Sequence, residues 1–166
     1  MVIIVEGPDG TGKTTLIKEL CKDVNYVELK GIPRNYPDQF KHWSNLLSSC
    51  SMSSITYVID RCFLSEIVYR CVKDDLYPNI TFNKILELLN IKHVIYILCK
   101  TDNAYKYATE RGEEYVNENE HKLITDYYNV LFTMLDKFTP MRMTEYDFTK
   151  DTVERLKEDL MEIENG

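Results

Sequence analysis

Apolar positions along this chain alternate between two spacings. Val2, Ile3, Ile4 and Val5 form a β-branched run that predicts a short buried strand, and it ends in a glycine-rich turn from Gly7 to Gly12. From Thr14 to Cys21 the spacing becomes helical, with Leu16, Ile17 and Leu20 as the buried stripe. Tyr26–Leu29 predicts a second strand, closed by Gly31 and Pro33. Phe40, Trp43 and Leu47 predict a helix over Phe40–Leu47, and Ile55–Ile59 a third strand closed by Asp60 and Arg61. Helices follow over Leu64–Val72 and Phe82–Leu89, then a fourth strand over Val94–Leu98. The polar stretch from Asn103 to Phe138 reads as helical with a break near Gly112. In its second half Leu123, Tyr127, Val130, Leu131, Met134 and Phe138 keep near-helical spacing. Arg142–Thr144 predicts a short fifth strand. Asp151–Glu154 resembles an N-cap with an acidic first turn, opening a helix with stripe Val153, Leu156, Leu160 and Ile163.

Strands alternating with helices predict an α/β fold: one domain over residues 1–166, with a parallel five-stranded sheet covered by helices on both faces. Ligands of such sheets bind outside the carboxyl ends of the strands. Gly7–Thr14, Ile32–Arg34, Asp60–Arg61 and the segment after Leu98 all leave from those ends.

Composition narrows the classes. The 166 residues are 44% apolar and 28% charged, which excludes wholesale disorder. Apolar runs are too short for a transmembrane helix, and the residues before Glu6 lack the basic and apolar regions of a secretory signal. The five cysteines (Cys21, Cys50, Cys62, Cys71, Cys99) form no Cys-x-x-Cys pair. They argue against a disulfide framework or structural zinc and for a reducing cytoplasm. His42, His93 and His121 have no ligand spacing. Residues 1–110 carry 13 basic and 13 acidic side chains, and residues 111–166 carry 7 and 14, so the acidic third supplies the whole net charge of −7. That balance argues against nucleic acid as a partner and leaves room for a local basic pocket in the first two thirds.

The most specific signal is Gly7-Pro8-Asp9-Gly10-Thr11-Gly12-Lys13-Thr14, which fits G-x-x-x-x-G-K-[ST] between a strand and a helix. Glycines let successive N–H groups turn inward around a phosphate, and the following helix adds the positive end of its dipole. In such a loop Lys13 reaches the β- and γ-phosphates and the Thr14 hydroxyl ligates Mg²⁺. ATP and Mg²⁺ are therefore the expected cofactors and the fold is expected to be a P-loop NTPase, with Gly7, Asp9, Gly10, Thr11, Gly12, Lys13, Thr14 and Thr15 lining the nucleotide. The guanine-reading N-K-x-D is absent, since the one Asn-Lys pair, Asn83-Lys84, is followed by Glu87.

The order Val5-Glu6-Gly7-Pro8-Asp9-Gly10-Thr11-Gly12-Lys13-Thr14-Thr15, Pro33-Arg34, Asp60-Arg61 with Ser65 and Tyr69, then Arg111-Gly112-Glu113, resembles the thymidylate kinase family of nucleoside monophosphate kinases. The resemblance implies that Asp9 binds the acceptor's sugar hydroxyl and that Arg61, with Arg34, clamps the acceptor phosphate. It also implies that Asp60 orders Mg²⁺ or the acceptor, and that Ser65 and Tyr69 line the acceptor site. Gly10 stands where some members carry a loop arginine, so Arg111, in a lid spanning about 103–120, is the implied cation over the transferred phosphate. The acceptor implied is dTMP or a related pyrimidine deoxynucleotide. Members are often homodimers, so a second copy is an implied partner, and the compact chain suits a virus-encoded member acting in host cytoplasm.

Three other readings stay open. A deoxynucleoside kinase has a neutral hydroxyl as acceptor and needs a carboxylate base, for which Glu28 is the candidate. A kinase of a hydroxyl on a modified DNA base fits the acidic chain less well. A non-catalytic nucleotide-binding module needs only the loop, whereas Lys13, Thr14, Asp60, Arg61 and Arg111 are all present.

Overall fold

The computed structural model of the chain describes residues 1–30, 38–73, 81–112, 116–138 and 142–165. Five strands, β1 (Val2–Glu6), β2 (Tyr26–Lys30), β3 (Thr56–Asp60), β4 (Val94–Cys99) and β5 (Met143–Tyr146), form one sheet in the order β2-β3-β1-β4-β5. Every pairing is parallel, in register Val5↔Asp60, Glu6↔Leu98, Lys30↔Asp60 and Cys99↔Tyr146. The order reverses at β1, so its carboxyl end lies at the switch point where such sheets open a crevice.

Among the described residues seven helices cover the sheet: α1 (Lys13–Leu20), α2 (Gln39–Ser51), α3 (Phe63–Lys73), α4 (Phe82–Leu89), α5 (Ala104–Glu110), α6 (Glu118–Asp136) and α7 (Val153–Asn165). β1 is buried on both faces, which is why its sequence is continuously apolar rather than alternating. Val2 and Ile4 join Tyr96, Leu98 and residues of α2, α3, α4 and α6. Ile3 and Val5 join Val58, Ile97 and the apolar stripes of α1 and α7. Burying each such aliphatic side chain contributes about 1.5–3 kcal/mol. No helix among the described residues is long and apolar enough to cross a membrane.

The expected strands and helices form, most within one or two residues of their expected bounds, although α2 runs on to Ser51, four residues past its expected end at Leu47, and Gly112 interrupts the long helical stretch with φ +72°. The fifth strand starts one residue later than expected and runs to Tyr146. The near-helical spacing on α6 belongs to a real helix, but most of that set does not face the core. Of the spaced set only Leu131 is buried, while Leu123, Tyr127, Val130, Met134 and Phe138 are 37–65% exposed. The core-facing stripe is His121, Ile124, Tyr128, Leu131, Phe132 and Leu135. The helix carries two neighbouring apolar stripes, and the one that packs inward begins with a histidine.

Candidate functional site

The phosphate loop is where the sheet's switch point meets α1. Gly7, Gly10 and Gly12 have φ of 135°, 80° and 79°, a succession that turns backbone N–H groups to one side. At Gly10 the glycine is needed twice. Its backbone is left-handed, and a Cβ there would run into the Ala104 carbonyl and the Ala108 nitrogen of α5. α5 therefore seats directly on the loop, which is the physical reason no arginine side chain can stand at this position. Thr11 is buried and donates to the Pro8 carbonyl at 2.8 Å. Thr14 and Thr15, in the first turn of α1, are exposed.

Lys13 is buried and its Nζ donates to the Pro8 carbonyl. Burial, and secondarily the neighbouring Arg61, hold its ammonium down at about 8 from an ordinary 10.5. Phosphate oxygens bind the charged form, so affinity for a nucleoside triphosphate is highest below that value. It is expected to fall up to tenfold per pH unit above it, with proton uptake on binding near pH 8. Calorimetry of ADP binding in buffers of different ionisation enthalpy reads both effects.

The acceptor side is built by a single turn. Arg61 leaves β3 in the left-handed region, φ 65°, an unfavourable conformation for a long side chain. Its N–H donates to the Val5 carbonyl at 3.0 Å. The next residue is held by Glu6, a fully buried carboxylate that the sequence did not single out. Glu6 accepts from Cys62 N–H at 2.9 Å, Cys62 Sγ at 3.0 Å, Ser65 N–H at 3.3 Å and Tyr128 OH at 3.1 Å, and from the Ser65 hydroxyl. It caps the start of α3 from the neighbouring strand, which fixes the turn and so aims Arg61. Ser65 thus spends its hydroxyl on Glu6 and Tyr128, and supports the site through that carboxylate rather than by facing the cleft.

The Arg61 guanidinium ion-pairs with Asp9 of the loop and lies 4.8 Å over the Tyr69 ring. Tyr69 OH donates to the other Asp9 oxygen at 3.0 Å. Burial pushes the Asp9 carboxyl up, but Arg61, then Lys13 and the Tyr69 hydroxyl, bring it below its ordinary value. Burial likewise opposes the Arg61 charge, and the surrounding Tyr128, Tyr69 and Asp9 more than offset it. On the far side of the loop the nearly buried His121 reaches the Asp9 carbonyl with Nε2 at 2.8 Å. Its histidine type, without a metal-ligand spacing, offered no signal.

Asp60 ends β3 with a buried Oδ1 that has no hydrogen-bond partner among the described residues. A buried carboxylate oxygen left unpaired is costly, and an ordered cation or its water would satisfy it. With the Thr14 hydroxyl at the loop's end this donor set suits Mg²⁺, a hard ion that takes one or two protein oxygens plus phosphates. Among the described residues no cluster of three or more His, Cys, Asp or Glu could hold a metal ion.

Arg111, exposed at the end of α5, does not join the Arg61–Asp9 group. It lines a largely apolar hollow of about 290 Å³ with Gly12, Thr15, Leu16, Glu19, Tyr107, Tyr146, Phe148 and Val153. Its Nε donates to the Tyr107 carbonyl at 3.3 Å. Tyr107 and Phe148 meet edge to face at 5.4 Å, and the Phe148 ring covers Gly12. Arg34 and Glu113 lie outside the described residues.

Glu28 sits in register with Val58, on the face packed against α1 and α7. There its carboxylate adds to the burial that raises the Cys21 thiol. All five cysteines are free.

No protein-family model matches the chain. A protein of Acidianus bottle-shaped virus (isolate Italy/Pozzuoli), named as a candidate thymidylate kinase, is 27% identical over 144 residues, covering 81% of this chain and 88% of that protein. YorR protein from Bacillus subtilis, in complex with phosphorylated GDP, is a similar solved structure. Its TM-score is 0.76 at 22% identity, with 98% of this chain and 95% of that one covered. Deoxyadenosine kinase from M. mycoides with bound dATP has a TM-score of 0.64 at 18% identity over the whole of both chains. Thymidylate kinase from Candida albicans has a TM-score of 0.58 at 17% identity, covering 98% of this chain and 89% of that one. The fold is thus the expected α/β P-loop fold, a parallel five-stranded sheet with helices on both faces.

Proposed function

We propose that this protein is a nucleoside monophosphate kinase that moves the γ-phosphate of ATP to a deoxynucleoside monophosphate, dTMP or a related pyrimidine. The observation that carries the reading is the Arg61–Asp9–Tyr69 group, which puts a fixed guanidinium and a carboxylate against the phosphate loop beside Lys13. A module that only binds nucleotide has no use for that group. The viral relative's name and the kinase names of the similar structures support it.

In this reading Lys13 and the loop N–H groups hold the β- and γ-phosphates. Arg61 gives its fork to the acceptor phosphate, which frees Asp9 for the sugar hydroxyl. An acceptor oxygen then bonds to the γ-phosphorus while its bond to the β–γ bridging oxygen breaks, leaving ADP. The attacking oxygen is already anionic, so catalysis is positioning and charge neutralisation and no base is required. Mg²⁺, held by Thr14 and Asp60 together with phosphate oxygens, would neutralise charge as it builds on the bridging oxygen. A deoxynucleoside kinase would need a carboxylate base, and the candidate Glu28 lies on the α1/α7 face of the sheet beside Cys21 at the end of α1.

The hollow beside Gly12 is the right size and polarity for the donor base, and Arg111 borders it. α5, the helix that opens the proposed lid of about residues 103–120, packs against Gly10. Arg111→Ala is expected to raise KM for ATP and lower kcat about tenfold with an unchanged melting temperature. Steady-state kinetics against ATP concentration checks this, and unchanged constants would remove Arg111 from the donor site.

The second apolar stripe of α6, with Phe82 of α4 touching Phe138 at 5.6 Å, is the proposed contact with a second copy of the chain. Two such faces meeting bury on the order of 1,000 Å², the lower bound of a specific interface. Val130→Glu is expected to give a folded monomer, read by light scattering. A wild-type protein that stays monomeric at tens of micromolar would dismiss the pairing.

ADP release from Mg·ATP against dTMP, dUMP, 5-substituted dUMP, dCMP, dGMP, dAMP and the free nucleosides tests the reaction. Release stimulated by a monophosphate supports it, and stimulation only by nucleosides overturns it.

A further inference from the structure

His121 is the one buried histidine of the three. Its Nε2 lies 2.8 Å from the carbonyl oxygen of Asp9. A carbonyl only accepts, so Nε2 carries the hydrogen. Tyr105 of α5 meets the imidazole edge to face at 5.5 Å and holds its plane. The bond therefore joins α6 to the phosphate loop, with α5 as the second wall.

The peptide geometry turns this contact into a consequence. The Asp9–Gly10 peptide is trans, as are all described peptide bonds. In a planar trans peptide the carbonyl and the following N–H point in opposite directions. A carbonyl drawn outward to α6 thus turns the Gly10 N–H inward, toward the side where Gly7, Gly10 and Gly12 arrange the loop. Gly10 cannot hold that orientation by itself, because glycine is the least restrained residue in the loop. The Asp9 side chain is meanwhile fixed by Arg61 and Tyr69, so Asp9 is held on both sides of its Cα.

We propose that His121 is a positioning residue. Through the Asp9 carbonyl it locks the Asp9–Gly10 peptide so that the Gly10 N–H is presented to the phosphate chain of the donor. The inference rests on the kinase reading for its effect on rate and on the loop's geometry alone for its effect on binding.

Two readouts separate these. One is the Gly10 amide resonance on addition of β,γ-imido-ATP with Mg²⁺. The other is kcat against a monophosphate acceptor. His121→Gln places an amide nitrogen near the reach of Nε2. It should keep the downfield shift of the Gly10 amide and hold kcat within about threefold. His121→Asn is too short, and His121→Phe keeps the ring without a donor. Both should lose the shift and lower kcat about tenfold, with KM for the acceptor changed less than twofold. The pair of losing variants covers the case in which one of them does not fold. A Gly10 amide that shifts equally in all four proteins would overturn the proposal, as would a Gln variant no better than Phe. If wild type phosphorylates no acceptor, the kinase reading fails while the amide shift still decides the role of His121.

Discussion

Arg61→Ala is expected to lower kcat/KM for the acceptor on the order of a thousandfold while ADP still binds. The loss has two parts. The fork that neutralises the acceptor phosphate disappears, and Asp9 stays behind as a carboxylate facing bound phosphates. Burial already pushes the Asp9 carboxyl up, and Arg61 is the foremost group holding it down. Without Arg61 its charge is both less stable and repulsive to the incoming anion. Arg61→Lys should recover less than a tenth of the lost rate, since a point charge cannot span two phosphate oxygens or lie flat on the Tyr69 ring. Steady-state kinetics with circular dichroism as a fold control checks both variants. Near-normal turnover in Arg61→Ala would move the acceptor site elsewhere.

Lys13→Ala should also reduce turnover about a thousandfold, and here the fold should not suffer. The unfolded chain holds the Lys13 proton to about 10.5, the folded chain only to about 8. The unfolded state therefore binds more protons between those values, and stability rises with pH across that window. Below pH 8 the full cost of burying the cation beside Arg61 is present. Removing the side chain at pH 7 should raise the melting temperature by a few degrees, set against whatever packing is lost. Calorimetric unfolding at pH 7 and pH 9.5 checks it: the gain should shrink at the higher pH. A difference from wild type that does not move toward destabilisation between pH 7 and pH 9.5 would contradict the electrostatic account.

Much of the sheet was legible because β1 and β4 are buried on both faces and read as unbroken apolar runs. The phosphate loop was legible because only glycines tolerate its backbone. The inward face of α6 was not legible for a definite reason. Its inward stripe contains His121 and Tyr128, whose polar atoms are spent on Asp9 and Glu6, whereas the outward stripe is more uniformly apolar. Apolarity alone does not pick out the inward stripe. Glu6 was invisible as a functional residue because a carboxylate inside a strand acquires meaning only when another strand's turn is brought to it. The resemblance alone implied Arg111 over the transferred phosphate, and in the structure it borders the hollow beside Gly12, where α5 ends.

The most direct measurement follows the label from γ-³²P-ATP in the presence of dTMP and the other deoxynucleoside monophosphates. The account predicts that label appears on the β-phosphate of a nucleoside diphosphate, in wild type and not in Arg61→Ala. Label found only in inorganic phosphate, or only on the 5′-hydroxyl of a supplied nucleoside, would contradict it.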